Sequence, residues 1–80
     1  MIEIDVEFNE PKEITNFCAQ LKKYIDSDVD AKCGRYTVDA KSILGMLSLS
    51  SKEMLISMDS NNSEEIIRLQ SICESLQVKG

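Results

Sequence analysis

Apolar and polar residues alternate along Ile2-Glu3-Ile4-Asp5-Val6-Glu7-Phe8. A period of two over this stretch predicts a strand with one buried face and one acidic, solvated face. Asn9-Glu10-Pro11 breaks the alternation, with the proline well placed in the first turn of a helix. From there the period changes. Ile14, Phe17, Cys18, Leu21 and Ile25 recur at helical spacing, which predicts a first helix from Pro11 to about Ile25 with one apolar stripe against the sheet.

Alternation returns at Val29, Ala31 and Cys33 and again at Tyr36, Val38 and Ala40, with Gly34 between them as the turn of a hairpin. Ser42 stands one residue before a compact apolar run, in an N-cap position. A Ser50-Ser51-Lys52 loop leads to a fourth strand marked by Met54, Ile56 and Met58. Asn61-Asn62-Ser63-Glu64-Glu65 then reads as a helix start, with polar caps and acidic residues in the first turn. Ile66, Leu69, Cys73 and Leu76 complete that helix, and the chain is expected to fray from Gln77 onward. The order is βαββαβα, and a sheet with one solvated acidic face and helices on the other is a two-layer α+β sandwich.

Eighty residues suit one small domain, 1–80, that buries only about 60% of the surface of its unfolded chain. With 42% apolar and 29% charged residues it reads as globular and soluble. No apolar run approaches the roughly 20 residues of a membrane span, and the acidic, alternating start is not a targeting peptide. A net charge of −5 argues against a nucleic-acid partner. Cys18, Cys33 and Cys73 are odd in number and irregularly spaced, which fits neither a disulfide framework nor a zinc site and points to a reducing cytoplasm. Cys18 and Cys73 fall on apolar helix faces as small core residues, and Cys33 lies beside the hairpin turn with no activating group. Glu3, Asp5 and Glu7 read as solvated charge, not a metal site. No nucleophile–base pair is visible, so no catalytic residue, metal or cofactor is assigned.

The segment Val29 to Leu49 carries the most specific signal. Thr37-Val38-Asp39-Ala40-Lys41-Ser42 followed by Ile43-Leu44-Gly45-Met46-Leu47-Ser48-Leu49 resembles the middle of the HPr family, the histidine-containing phosphocarriers of bacterial sugar phosphotransferase systems. The resemblance implies an open-faced sandwich, a four-stranded antiparallel sheet with three helices on one face. It also implies a phosphohistidine at the start of the first helix, with an arginine steadying the phosphate. This chain contains no histidine. Aligned without gaps from Val29, Pro11 falls at the histidine and Glu13 at the arginine, so Pro11, Lys12 and Glu13 form a degenerate phosphohistidine loop. The loop before the fourth strand, Ser50-Ser51-Lys52-Glu53, is about three residues shorter than in the family.

The resemblance also implies what remains. In many bacteria the serine matching Ser42 is phosphorylated by an HPr kinase, and the product binds a transcription regulator of carbon catabolite repression. A phosphoserine at an N-cap faces the positive end of the following helix. Ile43, Leu44 and Leu47 share one face of that short helix and are expected to remain exposed as the partner-binding patch, as in the family. Met46 and Leu49 lie on another face. The chain is therefore expected to be a non-catalytic regulatory or adaptor protein, nearest in kind to the catabolite-repression HPr homologue. Its partners would be a kinase, a transcription regulator or a phosphotransferase component. The alternative is a degenerate scaffold outside the phosphotransferase system, with Ser42 only a cap. The oligomeric state is left open by the sequence.

Overall fold

The computed structural model describes residues 1–49 and 52–78. The strands are β1 (Ile2–Glu7), β2 (Val29–Cys33), β3 (Tyr36–Asp39) and β4 (Glu53–Met58). The helices are α1 (Pro11–Tyr24), α2 (Ile43–Ser48) and α3 (Ser63–Cys73), the last continued by a 3-10 turn over Glu74–Leu76. The strands form one sheet in the order β1-β4-β2-β3, every neighbouring pair antiparallel. This is the expected βαββαβα open-faced sandwich of the α+β class.

The alternation of each strand settles which face is buried. Ile4 stands beside Ile56, and Ile56 beside Ala31; Val6 pairs with Met54, and Met58 lies between Ile2 and Val29. Apart from half-buried Ile2 these residues are buried under the helices, joined by Phe17, Cys18 and Leu21 from α1, Met46 from α2 and Leu69 and Cys73 from α3. Phe8 and Phe17 meet edge to face with centroids 5.4 Å apart, a favoured arrangement for rings in so small a core. The opposite face of the sheet carries exposed Glu3 and Asp5, and Lys32 lies 3.9 Å from Glu3 across it.

One acidic side chain binds three parts of the chain together. Glu65, in the first turn of α3, is 6% exposed. Its Oε2 accepts from the amides of Asp26 (2.8 Å) and Ser27 (3.0 Å). Its Oε1 accepts from the hydroxyls of Ser27 (2.6 Å) and Ser60 (3.1 Å). Hydrogen bonds from the Ser27 side chain and backbone, assisted by the Asp26 amide and Ser60, favour the ionised form and hold its pKa down to about 2. Asn62 caps the same helix, its side-chain oxygen accepting from the amides of Glu64 and Glu65.

The structure departs from the sequence pattern at four points. The last helix stops at Cys73 and tightens into a 3-10 turn, so Leu76 lies outside α3. The chain does not fray at Gln77, which bridges Val6, or at Val78, whose amide donates to the Asp5 carbonyl at 3.3 Å, while Lys79 and Gly80 lie outside the described residues. Pairing with the edge of β1 satisfies backbone groups that a free end would leave to water. Glu53 belongs to β4 and not to the preceding loop, while Ser50 and Ser51, the core of the shortened loop, lie outside the described residues. Tyr36 keeps the inward phase of β3 but is 67% exposed, beside the hairpin turn at the start of the edge strand.

Candidate functional site

The residues singled out by the sequence cluster at the start of α1 and along α2. The approach to α2 is built by local hydrogen bonds. The Asp39 carboxylate accepts from the Lys41 amide (2.9 Å) and the Asp39 carbonyl accepts from the Ser42 amide (3.0 Å), turning the chain out of β3. Beneath this turn the buried Cys18 thiol donates to the Ala40 carbonyl at 3.2 Å, tying α1 to the end of the hairpin. Burial raises the pKa of Cys18, and pushes Cys73 up to about 12, so both remain neutral thiols serving the core. Cys33 is half-buried beside the hairpin turn.

Ser42 is the N-cap of α2, with extended backbone (φ −94°, ψ 114°). Its Oγ accepts from the Gly45 amide at 3.1 Å and its carbonyl accepts the first helical bond, from the Met46 amide at 2.9 Å. Gly45 permits this closure. A Cβ there would stand 3.3 Å from the Ser42 Oγ and 3.4 Å from the Val38 Cβ. The Ser42 side chain is half-buried, with its hydroxyl at the helix start.

The two faces of α2 differ sharply. Met46 is fully buried, whereas Leu44 is 82% and Leu47 45% exposed. Ile43 departs from the expected patch: it is half-buried and packs against the core, because the first residue of the helix lies close over the sheet. Leu44 and Leu47, one turn apart, are therefore the exposed apolar pair.

At the start of α1, Pro11 occupies the first helical position. Glu13 turns back over the helix start, where its Oε1 accepts from the amides of Asn9 (2.7 Å) and Glu10 (2.9 Å). A carboxylate thus already takes amides that an incoming anion would need, and its charge opposes a second anion. Lys12 lies 3.3 Å from the Glu10 carboxylate, a solvent-exposed ion pair. The structure brings the two regions together in a shallow groove of about 210 Å³ lined by Phe8, Asn9, Pro11, Ile14, Met46 and Leu47, among others. Ser42 lies outside this groove, at the other end of α2. Among the described residues there is no group of three or more His, Cys, Asp or Glu side chains that could hold a metal ion, and no helix is long and apolar enough to cross a membrane.

Comparison with known proteins finds the architecture in the crystal structure of HPr-C-His from Thermoanaerobacter tengcongensis. The two superpose with a TM-score of 0.73 over 94% of this chain and 93% of that one, at 24% sequence identity. No family model and no curated protein sequence matches the chain. The likeness is therefore one of fold: the chain has the HPr architecture.

Proposed function

We propose that this chain is an HPr-like regulatory or adaptor protein of the bacterial cytoplasm, without catalytic chemistry of its own, that is recognised through α2. The observation carrying this reading is the exposed pair Leu44 and Leu47 on a six-residue helix whose other face, Met46, anchors it to the core. Large apolar side chains held at the surface by a helix of fixed orientation suit protein recognition. The start of α1 supports the same reading from the opposite direction. There is no histidine in the chain, and Pro11, Lys12 and Glu13 leave neither a nucleophile nor an uncommitted cation for a phosphoryl group.

Ser42 is the residue through which recognition is regulated. A phosphate on its Oγ faces the amide end of α2 and adds charge at one end of the Leu44–Leu47 face. The partners are a kinase of the HPr kinase type, and a transcription regulator or phosphotransferase component that reads the modified surface. The test is an intact-mass spectrum after incubation with ATP and an HPr kinase, with Ser42→Ala as control. One added phosphate, absent from the variant, is the expected result. No mass change beside a true HPr that is modified in parallel would sink the regulated-serine reading and leave a scaffold of HPr shape with Ser42 as a cap.

A further inference from the structure

The two edges of the sheet are treated differently. The β1 edge is engaged by the chain itself, through Gln77 bridging Val6 and the Val78 amide bonded to Asp5. The other edge is β3, the last strand in the order, and its Thr37 and Asp39 are exposed. The hydrogen-bond phase of the hairpin shows which backbone groups this edge offers. The Ala40 amide donates to the Val29 carbonyl at 2.8 Å, so the directly bonded pairs are Val29 with Ala40 and, in register, Ala31 with Val38 and Cys33 with Tyr36. Thr37, opposite Lys32, falls between these pairs, and its N–H and C=O point away from β2.

We propose that β3 pairs with the β3 of a second copy of this chain, antiparallel about Thr37, so that two four-stranded sheets join edge to edge. In this register the two Thr37 residues exchange both backbone bonds across a two-fold axis. Tyr36 then stands opposite the second copy's Val38, and Arg35, in the hairpin turn just before the strand, is brought alongside the second copy's Asp39. Each copy carries, alongside β3, a groove of about 430 Å³ lined by Tyr36, Thr37, Val38, Ser48 and Leu49. Tyr36 and Val38 lie on the helix-side face of the strand, so the exposed Tyr36 ring of one copy enters the groove beside Val38 of the other. The contact is isologous: the same residues serve on both sides.

Charge favours this register over those centred on Val38 or Asp39. Centring the pair on Thr37 sets opposite charges across the axis twice, Arg35 against Asp39. Centring it on Val38 would place Arg35 against Lys41, and centring it on Asp39 would oppose two carboxylates. Like charges directly opposite each other destabilise a ladder. Edge charges that usually deter sheet growth are here complementary to themselves. With four residues in the strand the interface is small, and the dimer belongs to the weak, transient class, forming at about 0.1–1 mM protein.

Sedimentation velocity over a dilution series to about 1 mM, on the full chain, tests the pairing. The wild type is expected to shift from monomer to dimer. Arg35→Glu alone and Asp39→Arg alone each place like charges opposite twice and should raise the dissociation constant about tenfold or more. An equimolar mixture of the two variants restores both opposite-charge pairs in a mixed dimer and should recover the wild-type shift. The fold of each variant is checked by its amide NMR spectrum. A wild type that stays monomeric to 1 mM overturns the proposal, as does a dimer unchanged by either variant. Variants that weaken the dimer singly but fail to recover on mixing overturn it too.

Discussion

Truncating α2 one residue at a time separates its two faces. Met46 is completely buried, and its replacement by alanine removes packed side-chain atoms and leaves a cavity, at a cost of about 2–5 kcal/mol. Leu44 is 82% exposed, so less than a fifth of its side chain leaves water on folding. At about 1.5–3 kcal/mol for burying a whole leucine, Leu44→Ala should cost roughly 0.3–0.5 kcal/mol. Leu47 is 45% exposed, and the same arithmetic gives roughly 0.8–1.6 kcal/mol. A domain of this size has a total stability of about 4–12 kcal/mol, so all three variants are measurable by urea unfolding and Met46→Ala falls near the threshold of folding. The expected order is Met46, then Leu47, then Leu44, with the slope against urea unchanged. A Leu44→Ala cost above about 2 kcal/mol would show a core residue and remove the basis for a recognition face.

Acid should act on the fold through Glu65. Its folded pKa, near 2, lies below the ordinary value of 4.5, so its contribution is fully present above about pH 4.5 and is lost as the pH falls towards 2. Thermal melts should show Tm falling through that window, and Glu65→Gln should lower Tm at neutral pH and flatten the decline. The cysteines should divide by burial. An alkylating reagent should modify half-buried Cys33 first, and reach Cys18 and Cys73 only at the rate of unfolding; rapid modification of all three would contradict the packing. Gly34 has φ of +60°, the left-handed region, with open space where a Cβ would project. Gly34→Ala should therefore cost about 1 kcal/mol through backbone strain alone, measured by urea unfolding, and Gly34→Asn less.

The strands and two of the helices were legible because their burial is periodic. Met54, Ile56 and Met58 announce β4 by alternation, and Ile14, Phe17, Cys18 and Leu21 announce α1 by helical spacing, so local pattern and final packing agree. Ser42 was legible as a cap because capping is a local geometry. Glu65 was not. In sequence it is one of two acidic residues in a helix start, and its partners Ser27 and Ser60 are brought to it by the fold. Pattern also failed at the ends of elements. Tyr36 and Ile43 have the right phase and the wrong burial, because exposure there depends on how far the neighbouring layer extends. The bridge between Gln77 and Val6 depends on the chain's return to an open edge, which polar composition at a terminus does not reveal. In the candidate site, Leu44, Leu47 and the absence of any histidine are visible in the sequence. The cleft that joins Pro11 to Leu47 appears only in three dimensions.

The proposed function rests on α2 as the surface by which this chain is recognised. An amide NMR titration of the isotope-labelled chain with unlabelled HPr kinase tests it most directly, with Leu44→Asp as the paired variant. Perturbations concentrated between Ser42 and Ser48 and at Asn9, Glu10 and Lys12, and abolished by Leu44→Asp without change in the rest of the spectrum, are the predicted result. Perturbations centred on Glu3, Asp5 and Asp30 of the open sheet face, or none at kinase concentrations that saturate a true HPr, would contradict it.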